Sequence, residues 1–232
     1  MKKSPCCWKD KTSKESDFKI DWKISVVSIT ALVDETGDLG SRVHGSKYII
    51  GATVLKNDQV DRFGKIMDEI FKSEKEEPKF HNVRDPLRRE VLDEISKMNP
   101  RIYIVTIRKP RFKKWTPGEK KRVHLNGVEK LTMRIAKKED TICLHIIFDS
   151  TTLISEGIVR EMIKRICKRT NKKLTFEIRD SKTCSPLQTN DFVIGSLGKR
   201  YNKKDDRYIS CLNSKVDRTR LINKTNLFSK SR

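Results

Sequence analysis

The chain has 232 residues, with 52 Lys and Arg against 31 Asp and Glu and a formal net charge of +21. Its length suits one domain that buries a core without disulfide or metal staples, and the clustering of its 35% hydrophobic residues excludes general disorder. An isoelectric point near 9.8 points to a polyanionic partner, whether nucleic acid, ribosome or anionic lipid, without choosing among them.

Residues 1–22 mix Lys, Ser and acids without a period and read as a mobile basic arm. Residues 24–33 are rich in β-branched side chains and end at Asp34, the pattern of a strand. A second strand over 48–55 follows a polar, Gly-containing link, which suits a hairpin. Val60, Phe63, Ile66, Met67 and Ile70 recur at helical spacing over 59–72, with Asp58 as N-cap, and 86–97 is a second helix capped by Asp85. A strand over 101–107 leads into a basic loop over 108–123 and then a helix over 126–138. Residues 141–148 form the most apolar strand, and it too ends at an acid, Asp149. A basic helix over 158–169, a strand over 173–178 and a last helix over 187–201, with Asp191 near its first turn, complete the domain. The alternation is that of an α/β domain over 23–202, with a basic, partly ordered tail over 203–232 where a short helix or strand docks.

The lysine-rich start lacks an apolar signal segment, and the run 24–33 is too short to span a bilayer. None of Cys6, Cys7, Cys143, Cys167, Cys184 and Cys211 forms a C-x-x-C pair, so they read as reduced thiols of a cytoplasmic protein with no membrane partner.

Three acids stand out by position. Asp34 and Asp149 each close a strand, and ligands of α/β sheets bind in the crevice at strand ends. If the two strands are neighbours, the carboxylates meet, repel and are relieved by a divalent cation. The segment Asp34-Glu35-Thr36-Gly37-Asp38 adds further acids, yet Asp, Thr and Gly are also ordinary turn formers. A phosphate-cradling G-x-x-x-x-G-K is absent, and the Asp-x-Asp loop of a dehalogenase-type phosphatase does not follow the strand.

The run Val33-Asp34-Glu35-Thr36-Gly37-Asp38 resembles the opening motif of the family catalogued as domain of unknown function 3800. Ser181-Lys182, followed by Leu187-Gln188-Thr189-Asn190-Asp191-Phe192, is similar to that family's closing signature, and Ile147-Phe148-Asp149-Ser150 to its middle one. Glu77-Pro78-Lys79-Phe80-His81 resembles a weaker segment before a helix. Thr36 stands where the family has Ser, and Asn190 where it has Ala.

The resemblance implies an RNase H-like fold: a mixed β-sheet flanked by α-helices, with carboxylates from the first strand, a later parallel strand and the last helix. It further implies Asp34, Asp149 and Asp191 as a triad holding Mg²⁺ or Mn²⁺, with Glu35 and Asp38 as auxiliary ligands. Glu77 and Lys79 accompany that segment, and His81 is either a proton shuttle, a phosphate contact or a surface histidine. Lys182 either contacts a phosphate or is solvated, and Gln188 either orients Asp191 or faces water. His145, within an apolar strand, reads as structural.

Basic residues gather in clusters. Arg108, Lys109, Arg111, Lys113, Lys114, Lys120, Lys121 and Arg122 enclose Trp115, an arrangement suited to stacking on bases. Lys164, Arg165, Lys168 and Arg169 form a second nucleic-acid cluster, and Lys199, Arg200, Lys203, Lys204 and Arg207 a third. The sequence therefore reads as a metal-dependent nuclease acting on DNA or RNA. The alternatives are a non-catalytic RNA-, DNA- or ribosome-binding protein on the same fold, and a small-molecule phosphohydrolase.

Overall fold

The structure is a computed structural model that describes residues 28–39, 45–72, 78–109, 115–151, 153, 155–210, 212 and 216–217. The basic arm over 1–22, most of the tail beyond 212, and Glu77, Arg111, Lys113 and Lys114 lie outside the described residues.

Six strands form one mixed sheet: β1 (Ile29–Thr36), β2 (Lys47–Lys56), β3 (Arg101–Arg108), β4 (Cys143–Asp149), β5 (Lys173–Arg179) and a short β6 (Val216–Asp217). Their order is β5-β4-β1-β2-β3-β6. β2 runs antiparallel to β1 and β3, while β1, β4 and β5 are mutually parallel. Five helices cover the sheet: α1 (Asn57–Ile70), α2 (Asp85–Lys97), α3 (Pro117–Lys138), α4 (Glu156–Thr170) and α5 (Ser185–Gly198). This is the RNase H-like arrangement that the motifs imply, a mixed sheet whose first strand lies beside a later parallel strand and under the last helix.

Strand alternation sorts the core into two layers. Ile29, Ala31 and Val33 of β1, with Leu144, Ile146 and Phe148 of β4, pack with α3 and α4. Leu32 of β1 and Ile147 of β4 join the opposite layer, formed by α1, α2, α5 and the segment carrying Tyr208, Ile209 and Leu212.

Several boundaries differ from the sequence expectation. The basic stretch over 108–123 is largely helical, because α3 begins at Pro117 rather than near 126. Thr116 Oγ1 accepts from Glu119 N–H at 3.3 Å, Glu119 Oε2 accepts from Thr116 N–H at 2.9 Å, and Pro117 occupies the first turn. This capping box starts a helix despite the density of charge around it. Asp58 and Asp85 are not caps; they sit inside the first turns of α1 and α2, with Lys56 and Arg84 in the cap positions. α5 starts at Ser185, which places Asp191 about two turns in instead of in the first turn.

Asn190 fixes how α5 lies on the sheet. Fully buried, it donates from Nδ2 to Leu32 O of β1 at 3.1 Å and accepts at Oδ1 from the Thr53 hydroxyl of β2 at 2.6 Å. A polar residue in the family's Ala position thus ties the acid-bearing helix to two strands. Asn190→Ala strands both partners in a dry layer, and each such group costs about 1–3 kcal/mol. The expected result is a lower urea midpoint with an unchanged m-value, the sign of lost stability without a change in the extent of unfolding.

Candidate metal and nucleic-acid site

Val33 pairs with Phe148 in the parallel β1–β4 ladder, so the next residues, Asp34 and Asp149, leave the sheet side by side. Both follow the alternation of Leu32 and Ile147 and therefore face α5. Asp191 meets them from that helix. Each acid is oriented by backbone N–H groups. Asp34 Oδ1 accepts from Glu35 at 2.6 Å. Asp149 Oδ1 accepts from Ser150 at 2.8 Å and Ser181 at 3.0 Å. Asp191 Oδ2 accepts from Phe80 at 2.7 Å.

That last bond depends on a close approach. A Cβ on Gly195 would lie 2.5 Å from the Phe80 ring, so only glycine lets the 79–83 turn lie on α5. Arg88 of α2 holds the turn from the other side, donating from Nε to Phe80 O at 2.6 Å and from a terminal nitrogen to His81 O at 3.1 Å. It also sits 5.0 Å from the Phe80 ring centroid. Arg88 gave no sign of this role in the sequence, where it reads as one of several charges on a helix.

The electrostatics are those of crowded acids. Burial pushes the Asp34 carboxyl well above its ordinary range, and the charges of Asp191, Glu35 and Asp149 add to the push. Burial also raises Asp149, offset by the N–H groups of Ser181 and Ser150 and by the ammonium of Lys79. Two residues of the weaker sequence segment thus reach the site: Lys79 lies near Asp149, and exposed His81 lines the cleft beside Asp191.

Glu35 differs from its neighbour. Alternation turns it to the α3 face, where its carboxylate bonds Tyr48. The Tyr48 hydroxyl lies 2.6 Å from His124 Nδ1 of α3, and both side chains are almost fully buried. Burial first, then the charge of Asp149, raises Glu35 to about 7, with the Tyr48 hydroxyl opposing. Burial lowers His124 to about 4. Tyr48 and His124 were missed in the sequence because each sits alone in an apolar stretch, 76 residues from the other.

Other expected residues fall elsewhere. Asp38 lines the cleft. Gln188 does not orient Asp191; its amide donates to Lys182 O at 3.3 Å, bracing the turn before α5. Lys182 is exposed, its N–H held by Asp180 at 3.0 Å. His145 is structural as read, its Nδ1 2.9 Å from the Thr175 hydroxyl.

Trp115 is 4% exposed and packs in the α3–α4 layer, so it offers no face for a base. Lys109 is 3% exposed, which withdraws it from any surface contact with a phosphate backbone. Arg108 and the first turns of α3, with Lys120, Lys121 and Arg122, stand at the same end of the sheet as the acids, because β3 runs parallel to β1 through β2. The second cluster does not. α4 starts beyond Asp149 and runs back for 15 residues, about 22 Å at the helical rise. Its end leads into Lys173, which pairs with Cys143 at the far end of β4. Arg165 and Arg169 are also paired there with Glu129, and Lys164 with Glu161. Lys164, Arg165, Lys168 and Arg169 therefore do not frame the acids.

Among the described residues no three His, Cys, Asp or Glu side chains stand ready to hold a metal ion by themselves. The donor chemistry nonetheless fits a hard cation: carboxylate oxygens on one sheet face, each raising the next. Mg²⁺ is ordinarily held by one or two carboxylates completed by water and substrate phosphate, not by an all-protein cage.

No protein-family model matches the chain, and no curated protein matches it. Solved structures similar to it include the RNase HII of Archaeoglobus fulgidus in complex with PCNA (13% identity over 75% of this chain and 74% of that one, TM-score 0.46). Another is the ribonuclease H2 of Pyrococcus horikoshii OT3 (13% identity, 76% and 74% covered, TM-score 0.48). A third is a mutant of Bst-RNase HIII (11% identity, 78% and 54% covered, TM-score 0.44). These are distant likenesses, so the chemistry of the site is read from this chain's own residues.

The raised Glu35 carboxyl has a pH signature. Between its ordinary value of 4.5 and about 7 the folded chain holds a proton that the unfolded chain has released, so stability falls as pH rises through that window. In metal-free buffer, Glu35→Gln removes this loss. Its denaturation midpoint is expected to gain on the wild type as pH rises from about 5 to 8, and parallel midpoints across the range would contradict the assignment.

Proposed function

We propose that the protein is a metal-dependent nuclease that hydrolyses phosphodiester bonds of DNA or RNA. The observation that carries this reading is the convergence of Asp34, Asp149 and Asp191 on one sheet face, at the ends of two adjacent parallel strands, in a chain of net charge +21. Asp34, Asp149 and Asp191 would hold Mg²⁺ or Mn²⁺. Such ions, when bound, activate water and stabilise the leaving oxygen of a phosphodiester.

The chain's own residues do the rest. Backbone N–H groups of Glu35, Ser150, Ser181 and Phe80 fix the carboxylates before a ligand arrives, which lowers the ordering cost of binding. The Tyr48–His124 pair holds Glu35 from behind, keeping a fourth acid within electrostatic reach of Asp34. Lys79 places a positive charge near Asp149, suited to a phosphate oxygen. Arg108, Lys120, Lys121 and Arg122 supply positive charge at the same end of the sheet.

A second reading, nucleic-acid binding without turnover, is favoured by the lack of a ready-made three-ligand group among the described residues. One assay separates the two. DNA and RNA strands and duplexes are incubated with Mg²⁺ or Mn²⁺. The nuclease reading expects cleavage that EDTA abolishes and that falls at least about 100-fold in Asp34→Asn, Asp149→Asn and Asp191→Asn. Unchanged cleavage in these variants, or binding with no cleavage under either ion, overturns it.

A further inference from the structure

Past Asp191 the last helix carries Gly195, Gly198 and, after it loosens into a π turn over Lys199–Lys203, Asn202 along one side of a cleft. The opposing wall is the exit of β1, Thr36 to Asp38, and the end is closed by Phe80 and His81. Its volume is ≈ 380 Å³. That lies at the small end of the roughly 300–1,000 Å³ range of ligand pockets and matches one nucleotide rather than a duplex.

The cleft is a fixed part of the fold. Asn202 grips one residue of β2 twice, accepting at Oδ1 from Lys47 N–H at 2.9 Å and donating from Nδ2 to Lys47 O at 3.1 Å. The side chain thereby imitates a neighbouring strand. Gly45, at φ +114°, leaves it room, since a Cβ there would lie 2.4 Å from Asn202 Cγ. Gly198 does the same for Thr36, whose hydroxyl would be 2.8 Å from an added Cβ. Lys47 Nζ lies 5.0 Å from the Tyr201 ring centroid, a further tie between β2 and the π turn. π turns are often retained at functional sites because they cost regular hydrogen bonding.

The lining is polarised. Asp191 and Asp38 belong to the acidic centre, while Lys199, Lys203 and His81 bring cationic and titratable nitrogen to the same space. Of the basic clusters in the sequence, only this one lines a cavity that includes a residue of the carboxylate triad.

We propose that this cleft is a nucleotide subsite. It takes the nucleotide next to the bond that is cut, in an unpaired strand, and Lys199 and Lys203 hold that nucleotide's phosphate. The proposal deepens the nuclease reading and rests on it for the position of the cut bond. An ammonium is a compact point charge that meets a phosphate without fixed geometry, suited to a strand of any sequence.

The test reads binding without turnover. The full-length protein is titrated into a fluorescently labelled short single strand, and separately into the matching duplex, in EDTA across a salt series. The double variant Lys199→Ala/Lys203→Ala is expected to bind the single strand about tenfold more weakly. Its salt dependence should fall by about 1.4 in slope, at about 0.7 per lost phosphate contact. Lys137→Ala/Lys138→Ala, at the far end of α3, is the charge-matched control and is expected to bind as the wild type does. Equal loss in the control, an unchanged salt slope in Lys199→Ala/Lys203→Ala, or tighter binding of the duplex overturns the subsite. Absence of cleavage with Mn²⁺ overturns the nuclease reading alone, because the binding measurement involves neither metal nor turnover.

Discussion

The parallel register of β1 against β4 is the constraint from which the site follows. With Val33 opposite Phe148, the chain has no means of separating the next two residues, and both are aspartates. The apolar ladder that enforces this is buried on both faces, so sliding the register by one residue would turn Leu32 and Ile147 into the wrong layer and the acids away from α5. The hydrophobic core thereby supplies the energy that holds like charges together. Backbone N–H groups then stabilise each carboxylate without adding a counter-charge, leaving the acids crowded and receptive to a cation.

The two faces of the sheet divide the labour. Adjacent acids in a strand point to opposite sides, so Asp34 joins Asp149 and Asp191 while Glu35 enters the α3 layer and meets Tyr48. A pair that looks like one motif in the sequence is thus split between an open face and a closed one. The closed side is dry enough to keep His124 neutral well below the usual histidine range. Glu35 is supported from a helix that contributes nothing directly to the open side.

Period and punctuation made much of this legible in advance. Apolar strands ending at Asp34 and Asp149 announced both acids, and the helical spacing around Asp191 announced the third. Alternation was available too, yet treating Glu35 as an equal partner ignored it. Trp115 misled because aromatic residues among lysines read alike whether they stack on bases or plug a core, and only the packing of α3 decides. The basic helix α4 misled for a geometric reason. Charge is visible in one dimension, but which end of a strand it returns to depends on the length of the crossover. Arg88 and Asn190 act through single long-range bonds, which leave no periodic trace.

The clasp of Asn202 on Lys47 spans 155 residues. During synthesis, the corner between β1 and β2 lacks this partner until the chain has been extended past the last helix. Strands β1 and β2 can pair early, through local contacts, but the wall facing Asp191 is completed only when a late segment docks on an early one. The acidic centre is therefore assembled by the final long-range closure of the domain, so a partly made chain carries the aspartates of the first strands without the surface that frames them.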